Sequence, residues 1–386
     1  MLFRSRRAMV ISGATGSHFN IEARAGLARL LDPPVMKELR FGIIGTGWPG
    51  QQHAIALAAI PNVRLRSCAD SNSERLRTFV ETYHPENSFD DYSQLLGDRE
   101  LDAAIICLPN FLHFPASLAA LEAGKHVLCE KPPTMNAAEM KVLREEATKR
   151  NLVYFFSRQF RFTPAMRLAK ALVEEGRLGK IYHAKATFVR SRGIPVGVGN
   201  WFTEKKRSGG GALIDIGVHA LDSVWYLMGT PRPTSVSAQV FRNFDHLVKV
   251  SVFDVEDAAY AFIRFENGAV VQLETSWAGN LTDDIPPRKY FGQELVNSVI
   301  YGTKASVRLN PLTLFEDKNG ELDTAPLAAK EDEPNGFELQ LRNFVGSING
   351  ESEPVNNADQ AVALMEMIDA IYASSSAGLE VPIVAL

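Results

Sequence analysis

Cysteine is scarce in this sequence, and the few thiols are not spaced for a disulfide framework or a metal site. Only Cys68, Cys107 and Cys129 occur among 386 residues, each inside an apolar segment and none in a C-x-x-C spacing. Extracellular domains that depend on disulfides use cysteine far more densely. We therefore expect buried, reduced thiols in a cytoplasmic protein.

An excess of positive charge and long apolar runs are also missing. The formal net charge is −4, from 41 basic and 45 acidic residues, so no nucleic-acid or anionic-membrane partner is expected. No apolar run approaches the roughly 18 residues that a membrane-spanning helix needs. What remains is an ordinary globular composition, 46% apolar and 22% charged, in a chain long enough for two domains.

The first 36 residues differ in composition from the rest. They contain five arginines but only one acid, Glu22, before Asp32. An export or transit signal would share this bias, yet residues 8–20 include Ser, Gly, Thr and His and make a poor hydrophobic region. We predict that residues 1–36 are a poorly ordered extension.

A glycine-rich turn between a strand and a helix indicates a dinucleotide site. Residues 39–44 form a short apolar run, and residues 45–50 then read G-x-G-x-x-G before a predicted helix. Such glycines allow a tight turn and bring a pyrophosphate against backbone N–H groups at the start of a helix. Asp70 ends the next strand, where a carboxylate accepts hydrogen bonds from the adenosine ribose and repels a 2′-phosphate. NAD is therefore favoured, and Arg75 nearby leaves NADP open.

Strand and helix patterns alternate over residues 37–157, which predicts an α/β Rossmann domain with a doubly wound parallel sheet. Ligands of such sheets bind beyond the carboxyl ends of the strands. Several polar residues fall at or just after predicted strand ends, namely Asp70, Asn110, His113, Glu130, Lys131 and Arg158. Their shared position predicts one site.

Strand patterns dominate after the first domain. They recur from residue 181 to residue 309, and Asn267-Gly268 is a strong signal for a tight hairpin. We predict a C-terminal α+β domain over residues 158–386 with a large, open, mostly antiparallel sheet. One face should pack on helices that start near Leu213 and Glu338, and the other should stay open.

Three consecutive glycines, residues 209–211, precede a predicted helix that carries acid and imidazole side chains. Asp215 and His219 are i and i+4, and Asp222 is i+3 from His219, so all three share one face. An imidazole beside a carboxylate is suited to proton transfer. The alternative is a tight helix–sheet contact with an exposed Asp–His pair. Zinc could bind at this spacing, but no third ligand is apparent, so we expect no metal.

Four motifs in one order make the sequence resemble the Gfo/Idh/MocA oxidoreductases from about residue 37 to its end. They are the G-x-G-x-x-G turn, Pro109-Asn110-x-x-His113, Glu130-Lys131-Pro132, and Gly-Gly-Gly…Asp215…His219. The resemblance implies hydride transfer between a nicotinamide cofactor and a secondary hydroxyl or ketone of a sugar or cyclic polyol. It also implies a homodimer or homotetramer that pairs through the C-terminal sheet.

By the same resemblance, Lys131, Asp215 and His219 are the expected catalytic set. His219 is the best single proton acceptor because imidazole titrates near neutrality, but a desolvated Lys131 could also act as the base. Two other functions stay open at this point: an NAD-binding sensor without turnover, and an NAD-dependent glycosidase.

The turn and the resemblance together give the expected contacts. Those to the cofactor are Gly45, Thr46, Gly47, Trp48, Gly50, Asp70, Arg75, Pro109, Asn110, His113, Glu130, Lys131, Arg161 and Trp201. Those to the substrate are Lys131, Arg192, Trp201, Asp215 and His219. For Arg190 and Arg192, a solvated strand end is the alternative to a place at the substrate mouth.

Overall fold

The computed structural model describes residues 38–197, 199–281, 293–329 and 334–383. Two sheets dominate this part of the chain. The strands of the first end at Phe156, and those of the second begin at Ile181. The division into domains at residues 37–157 and 158–386 stays a prediction, and the predicted extension over residues 1–36 lies outside the described residues.

The first sheet is parallel and has helices between its strands. Its strands are β1 (Leu39–Ile44), β2 (Val63–Ala69), β3 (Asn87–Phe89), β4 (Ala103–Ile106), β5 (His126–Cys129) and β6 (Tyr154–Phe156). The helices that follow them are α1 (Trp48–Ala58), α2 (Ser73–Tyr83), α3 (Tyr92–Leu96), α4 (His113–Glu122) and α5 (Ala137–Arg150). The strand order β3-β2-β1-β4-β5-β6 reverses direction between β1 and β4, which opens a ligand crevice at the carboxyl ends. The predicted doubly wound sheet is confirmed.

Asparagine side chains start two of these helices. Asn72 accepts the N–H of Arg75, and Asn136 accepts the N–H of Glu139, each at 2.9 Å. An N-cap acceptor of this kind satisfies one of the free N–H groups at a helix start. These caps fix where α2 and α5 begin, directly beyond the strand ends that form the crevice.

The second sheet is mixed and mostly antiparallel. Its longer strands are β7 (Ile181–Arg190), β8 (Pro233–Phe241), β9 (Ala258–Phe265) and β10 (Val270–Ser276). Shorter strands follow: β11 (Glu294–Leu295), β12 (Val299–Gly302), β13 (Ala305–Leu309), β14 (Leu312–Lys318), β15 (Glu321–Pro326) and β16 (Val381–Pro382). The order is β15-β14-β13-β12-β7-β10-β9-β8-β16, with β11 paired beside β7, and only β7 and β10 run parallel. The predicted large open sheet is confirmed.

The turn between β9 and β10 is the hairpin that Asn267-Gly268 predicted. Gly268 has φ +80°, and the Asn267 side chain accepts the N–H of Ala269 at 3.0 Å. Strands β14 and β15 were not predicted, because the strand patterns were followed only to residue 309. β15 is the edge strand and is mostly exposed and polar, and β14 ends in the exposed residues Asp317 and Lys318, so their hydrophobic alternation is weak.

Five helices belong to the second part of the chain, and some of them cover one face of the second sheet. They are α6 (Pro164–Glu174), α7 (Lys205–Ser208), α8 (Val218–Leu227), α9 (Gly336–Ile348) and α10 (Ala358–Ala377), with a π-helical segment at Leu213–Gly217 before α8. The π-helical segment and α8 pack on β7 and β10, as predicted for the helix near Leu213.

The prediction for the helix near Glu338 was wrong. Helix α9 packs on the first sheet, where Phe344 meets Phe41 and Phe155 at ring-centroid distances of 6.0 and 5.5 Å. Amphipathic periodicity identifies the buried face of a helix but not its partner. Helix α10 contacts both β8 and α5, and Asp369 accepts the N–H of Ala137 at 2.8 Å. It therefore packs against elements of both sheets.

The opposite face of the second sheet carries large exposed side chains. Tyr182, Tyr260 and Phe262 are 49%, 44% and 37% exposed. Elsewhere, the three thiols are free, with Cys68 and Cys129 buried. Within the ranges described, no helix combines the length and the apolar character that crossing a bilayer requires.

Candidate active site

The glycines of the turn after β1 are needed for two different reasons. At Gly45, where φ is +95°, an added Cβ would lie 2.4 Å from the carbonyl oxygen of Cys107, and at Gly50 it would lie 2.2 Å from that of Gly45. At Gly47 the nearest atom would be Pro49 Cδ, 3.9 Å away. The chain's own backbone therefore requires Gly45 and Gly50, whereas Gly47 faces open space at the start of α1. That space fits the close approach of a pyrophosphate.

Asp70 is held in place at the end of β2 by four hydrogen bonds. Its Oδ2 accepts from the N–H and the hydroxyl of Thr46, both at 2.9 Å, and its Oδ1 accepts from the Asn72 N–H and the Arg75 guanidinium at 2.8 and 3.0 Å. Burial alone would raise the pKa of Asp70, but these donors together lower it. The residue is thus an anchored anion at the position that reads an adenosine ribose.

The loops after β4 and β5 are tied together through backbone groups. The Nδ1 atom of His113 lies 2.6 Å from the carbonyl oxygen of Pro132, and its Nε2 lies 2.7 Å from that of Leu108. Asn110 donates to the carbonyl of Ser208 at 2.7 Å. Both ring nitrogens of His113 are therefore engaged by the protein, which gives the residue a structural role, and its contact to the cofactor stays a prediction.

Glu130 lies behind Lys131 and does not face open space. Its carboxylate is 2.8 Å from Nε2 of the buried His53, accepts the hydroxyl of Ser157 at 2.9 Å and accepts the Lys131 N–H at 3.3 Å. Burial would raise the pKa of Glu130, but the bonds from His53 and Ser157 outweigh it and the pKa is lowered. Glu130 thus fixes the backbone of Lys131, and no sequence pattern identifies His53, on α1, as its partner.

Lys131 and Asp215 meet at the carboxyl edge of the first sheet. Lys131 Nζ donates to Asp215 Oδ1 at 3.1 Å and to the Asp215 carbonyl at 3.0 Å. The other carboxylate oxygen, Oδ2, accepts from Trp277 Nε1 at 2.9 Å and from Arg190 at 3.5 Å. Burial raises the pKa of Asp215, but the charges of Lys131 and Arg190 outweigh it and the pKa is lowered. Asp215 is therefore an ionised anchor for the lysine.

His219 is the neutral partner of this ion pair. It is 7% exposed, its ring lies 4.8 Å from that of Phe160 between centroids, and its buried Nδ1 has no hydrogen-bond partner among the described residues. Burial, followed by the charges of Lys131, Arg158 and Arg190, lowers the pKa of His219 well below 6.5. A neutral imidazole is fit to accept a proton.

The predicted Asp–His pair on one helical face needs correction. In the described structure no hydrogen bond joins Asp215 to His219, and both side chains are buried instead of exposed. The π-helical segment lies between them and changes the angular spacing that an α-helix would give. The two residues instead share the charges of Lys131 and Arg190, which lower the pKa of each.

Two other predicted positions are occupied by buried ion pairs. The Arg161 guanidinium is bonded to Asp222 at 2.6 and 3.0 Å and to the Val355 carbonyl at 2.7 Å, whereas its contact to the cofactor stays a prediction. The Asp222 carboxylate is engaged in the same ion pair, so we do not assign it a part in proton transfer. Arg190 is buried and bonded to Glu294 at 2.9 Å, so a solvated strand end is excluded for it.

The remaining candidates lie on the rim of the crevice. Arg192 is exposed and bonds to Asn280 at 2.8 Å and to the Gly279 carbonyl at 3.2 Å, which ties two loops together. Trp201 stacks on Phe202 with ring centroids 3.9 Å apart, and Trp48 is 62% exposed beside the glycine turn. Among the described residues, no cluster of three or more His, Cys, Asp or Glu side chains is placed to hold a metal ion.

The fold and the site define an NAD-binding oxidoreductase with a lysine, an aspartate and a histidine beside its dinucleotide turn. A family model for the oxidoreductase family with an NAD-binding Rossmann fold matches residues 39–157, and a model for the GFO/IDH/MocA C-terminal domain matches residues 166–308. The chain belongs to the Gfo/Idh/MocA family of oxidoreductases. The relatives are dehydrogenases of sugars and polyols, and this chain is an NAD-binding oxidoreductase of that kind.

Three proteins are similar to this chain over more than half of its length. A D-glucoside 3-dehydrogenase of Escherichia coli (strain K12) is 31% identical over 354 residues, which is 89% of this chain and 97% of the relative. A glucose-6-phosphate 3-dehydrogenase of Bacillus subtilis (strain 168) is 31% identical over 241 residues, 61% of this chain and 67% of the relative. The solved structure of a levoglucosan dehydrogenase with NADH has a TM-score of 0.79 and 25% identity, and the match covers 90% of this chain and 100% of that one.

The three glycines of the turn should respond differently to alanine. Gly47→Ala is expected to weaken NADH binding by about tenfold or more, because its methyl group would occupy the space for the pyrophosphate. It should leave the melting temperature nearly unchanged, since the nearest protein atom, Pro49 Cδ, would be at an ordinary van der Waals distance of 3.9 Å. Gly50→Ala, whose Cβ would strike the Gly45 carbonyl, is the matched variant and should lower the melting temperature. A destabilised Gly47→Ala with unaltered NADH affinity would contradict this interpretation.

Proposed function

We propose that the chain oxidises the C3 hydroxyl of a neutral glucopyranoside, with NAD as the hydride acceptor. The observation that carries this proposal is the grouping of the anchored Lys131–Asp215 pair with a neutral His219 at the sheet edge that also carries the dinucleotide turn. Two relatives that are each 31% identical are named 3-dehydrogenases of glucosides or glucose 6-phosphate, which supports C3 as the reacting position.

The chemistry assigns a separate task to each side chain. Two of the three N–H donors of Lys131 are directed at Asp215, which leaves the third for the substrate oxygen. That donor stabilises the charge that develops as the hydroxyl becomes a carbonyl. His219, which is neutral, accepts the hydroxyl proton, while bound NAD supplies the acceptor for the hydride from the carbinol carbon. Trp277 and Arg190 keep Asp215, and through it Lys131, in position.

The charges of the site favour a neutral sugar over a phosphorylated or acidic one. In the part of the chain that the structure describes, three cationic side chains of the site are paired with acids: Lys131 with Asp215, Arg190 with Glu294 and Arg161 with Asp222. An anionic substituent near them would have to compete with carboxylates that already neutralise these cations. Of the two 3-dehydrogenase relatives, the one named for glucosides is therefore a better guide to the substrate of this chain than the one named for glucose 6-phosphate.

The test is NADH formation by the full chain with a panel of methyl glucoside, levoglucosan, myo-inositol and glucose 6-phosphate. We expect methyl glucoside to be turned over with at least about tenfold higher kcat/KM than glucose 6-phosphate. Reduction of the product with borodeuteride should place deuterium at C3, and methyl 3-deoxyglucoside is the matched control that should not react. Deuterium at another carbon, or preference for the phosphate, would contradict the proposal. Repeating the assay with NADP tests the preference for NAD over NADP that Asp70 predicts.

The pH dependence should report the lowered pKa of His219. A base works in its neutral form, and His219 is neutral above its pKa, so activity is lost only as pH falls through that lowered value. We expect kcat/KM for the sugar to stay level from about pH 8 to below pH 6.5, the ordinary histidine value. A half-maximal point at or above 6.5 would show that burial does not keep this imidazole neutral.

We further propose that two copies pair through the open face of the second sheet. Tyr182, Tyr260 and Phe262 give that face large exposed side chains, and a second copy would remove them from water. Light scattering should give a dimer or tetramer, and Tyr260→Asp should shift it toward smaller species. A monomer at micromolar concentration would contradict this.

The free thiols also support the proposed cytoplasmic location.

A further inference from the structure

The three glycines at residues 209–211 are approached by the protein itself. An added Cβ at Gly210 would lie 1.9 Å from the Tyr372 hydroxyl, and one at Gly211 would lie 1.8 Å from the carbonyl oxygen of Glu256. The close approach expected at these glycines is therefore made by Glu256, just before β9, and by Tyr372 of α10. The glycines therefore make a tight packing contact, but the exposed Asp–His pair of that alternative is not observed, because both side chains are buried.

Glu256 satisfies three consecutive N–H groups where the catalytic helix begins. Its carboxylate accepts from the N–H of Gly211 and from that of Leu213, each at 2.9 Å, and its carbonyl accepts from Ala212 at 3.0 Å. A helix start leaves its first four N–H groups without internal partners, and its positive dipole end favours a carboxylate. One residue from a distant strand thus caps the helix that carries Asp215 and His219.

Tyr372 completes the cap. Its hydroxyl donates to Glu256 Oε1 at 3.0 Å, in contact with the position that a Gly210 side chain would occupy. Burial raises the pKa of Tyr372 well above 10, so the hydroxyl keeps the proton that it donates. Burial also raises the pKa of Glu256, a shift that the N–H groups of Leu213 and Gly211 and the Tyr372 hydroxyl oppose.

We propose that Glu256 and Tyr372 are positioning residues that set the axial and rotational position of the helix that carries Asp215 and His219. Asp215 lies only two residues beyond Leu213, and a π-helical turn rather than an α-helical one joins it to His219. The start of this segment therefore decides whether Asp215 reaches Lys131 at 3.1 Å. Because misplacement of reacting groups by about 1 Å can cost on the order of 10²-fold in rate, a loosened cap should lower turnover.

The proposal rests on the chemistry proposed for Lys131 and His219, and Glu256→Gln tests it with Asp257→Asn as the matched control. Asp257 is the next residue, also buried, but its carboxylate accepts the N–H groups of Asn243 and Phe244. We expect Glu256→Gln to lower kcat about tenfold or more, with the NADH dissociation constant within about twofold of the unchanged protein. Asp257→Asn should lower the melting temperature without lowering kcat. Equal effects of the two variants on kcat would overturn the proposal.

Two further measurements keep the outcome decisive. If Glu256→Gln does not fold, Tyr372→Phe removes only one donor to the carboxylate and should still lower kcat more than Asp257→Asn does. The ¹⁵N-histidine spectrum, with the His219 signal assigned through His219→Gln, should show that signal displaced in Glu256→Gln and unmoved in Asp257→Asn. This second readout needs no sugar, so it separates failure of the proposed cap from failure of the proposed function. An unmoved His219 signal with normal kcat would contradict the cap.

Discussion

Replacement of Lys131 by alanine is expected to lower kcat by about 10²- to 10³-fold, the usual effect of removing one donor that stabilises developing oxygen charge. The structure places no other described cation in direct contact with the Asp215 carbonyl and Oδ1 that hold the ammonium group. Binding of NADH should change little, because the glycine turn and Asp70 are untouched. The measurements are steady-state kinetics with the sugar and fluorescence titration with NADH.

Lys141→Ala is the matched control for that variant. Lys141 lies on α5 and is paired with Glu366 at 2.7 Å, away from the strand ends. It should keep kcat within about twofold, as expected of a surface ion pair. Lys131→Arg should not restore activity, since a planar guanidinium cannot take the place of a compact ammonium group. Turnover that survives in Lys131→Ala would remove this lysine from the mechanism.

Replacement of His219 by glutamine should cost about 10²- to 10⁴-fold in kcat, the range found for positioned general bases. Glutamine fills similar space but cannot take up a proton at neutral pH. The loss of kcat in His219→Gln should become smaller as pH rises, because hydroxide or water can replace the missing base. The loss of kcat in Lys131→Ala should not become smaller with pH in this way. The pair of pH profiles therefore decides which of the two residues is the proton acceptor.

His84→Asn is the control for His219→Gln. His84 is exposed and ends α2 in a left-handed conformation, with φ 50°, which asparagine also adopts readily. It should leave both kcat and the pH profile unchanged. A His219→Gln variant with normal turnover would show that Lys131 acts as the base and that the imidazole only fills space beside Phe160.

The sequence was most informative where chemistry is local. The glycine turn, the acid at the end of β2 and the lysine after β5 each sit at a strand end, and parallel strands bring their carboxyl ends to one edge. The meeting of Lys131 with Asp215 across 84 residues was expected from the resemblance, and the structure shows the contact.

The supporting residues could not be found in this way. Trp277, Glu294 and Glu256 lie in or next to strands of the second sheet, and nothing in their neighbourhood in the sequence shows which distant charge or helix start they satisfy. Arg161 and Asp222 were each given a functional task, whereas burial makes them partners of one another, because a buried charge needs an opposite charge or several hydrogen bonds. Periodicity reports which face of an element is buried, not what covers it.

The most direct test of the account is the transfer of label from the sugar to the cofactor. Methyl glucoside that carries deuterium at C3 is incubated with NAD and the full chain, and the reduced cofactor is analysed by mass spectrometry, with the sugar labelled at C2 as the control. We predict deuterated reduced cofactor from the C3-labelled sugar only. Unlabelled reduced cofactor would contradict transfer from C3, and the absence of any reduced cofactor with the glucoside panel, despite NADH binding, would instead support a sensor or a glycosidase.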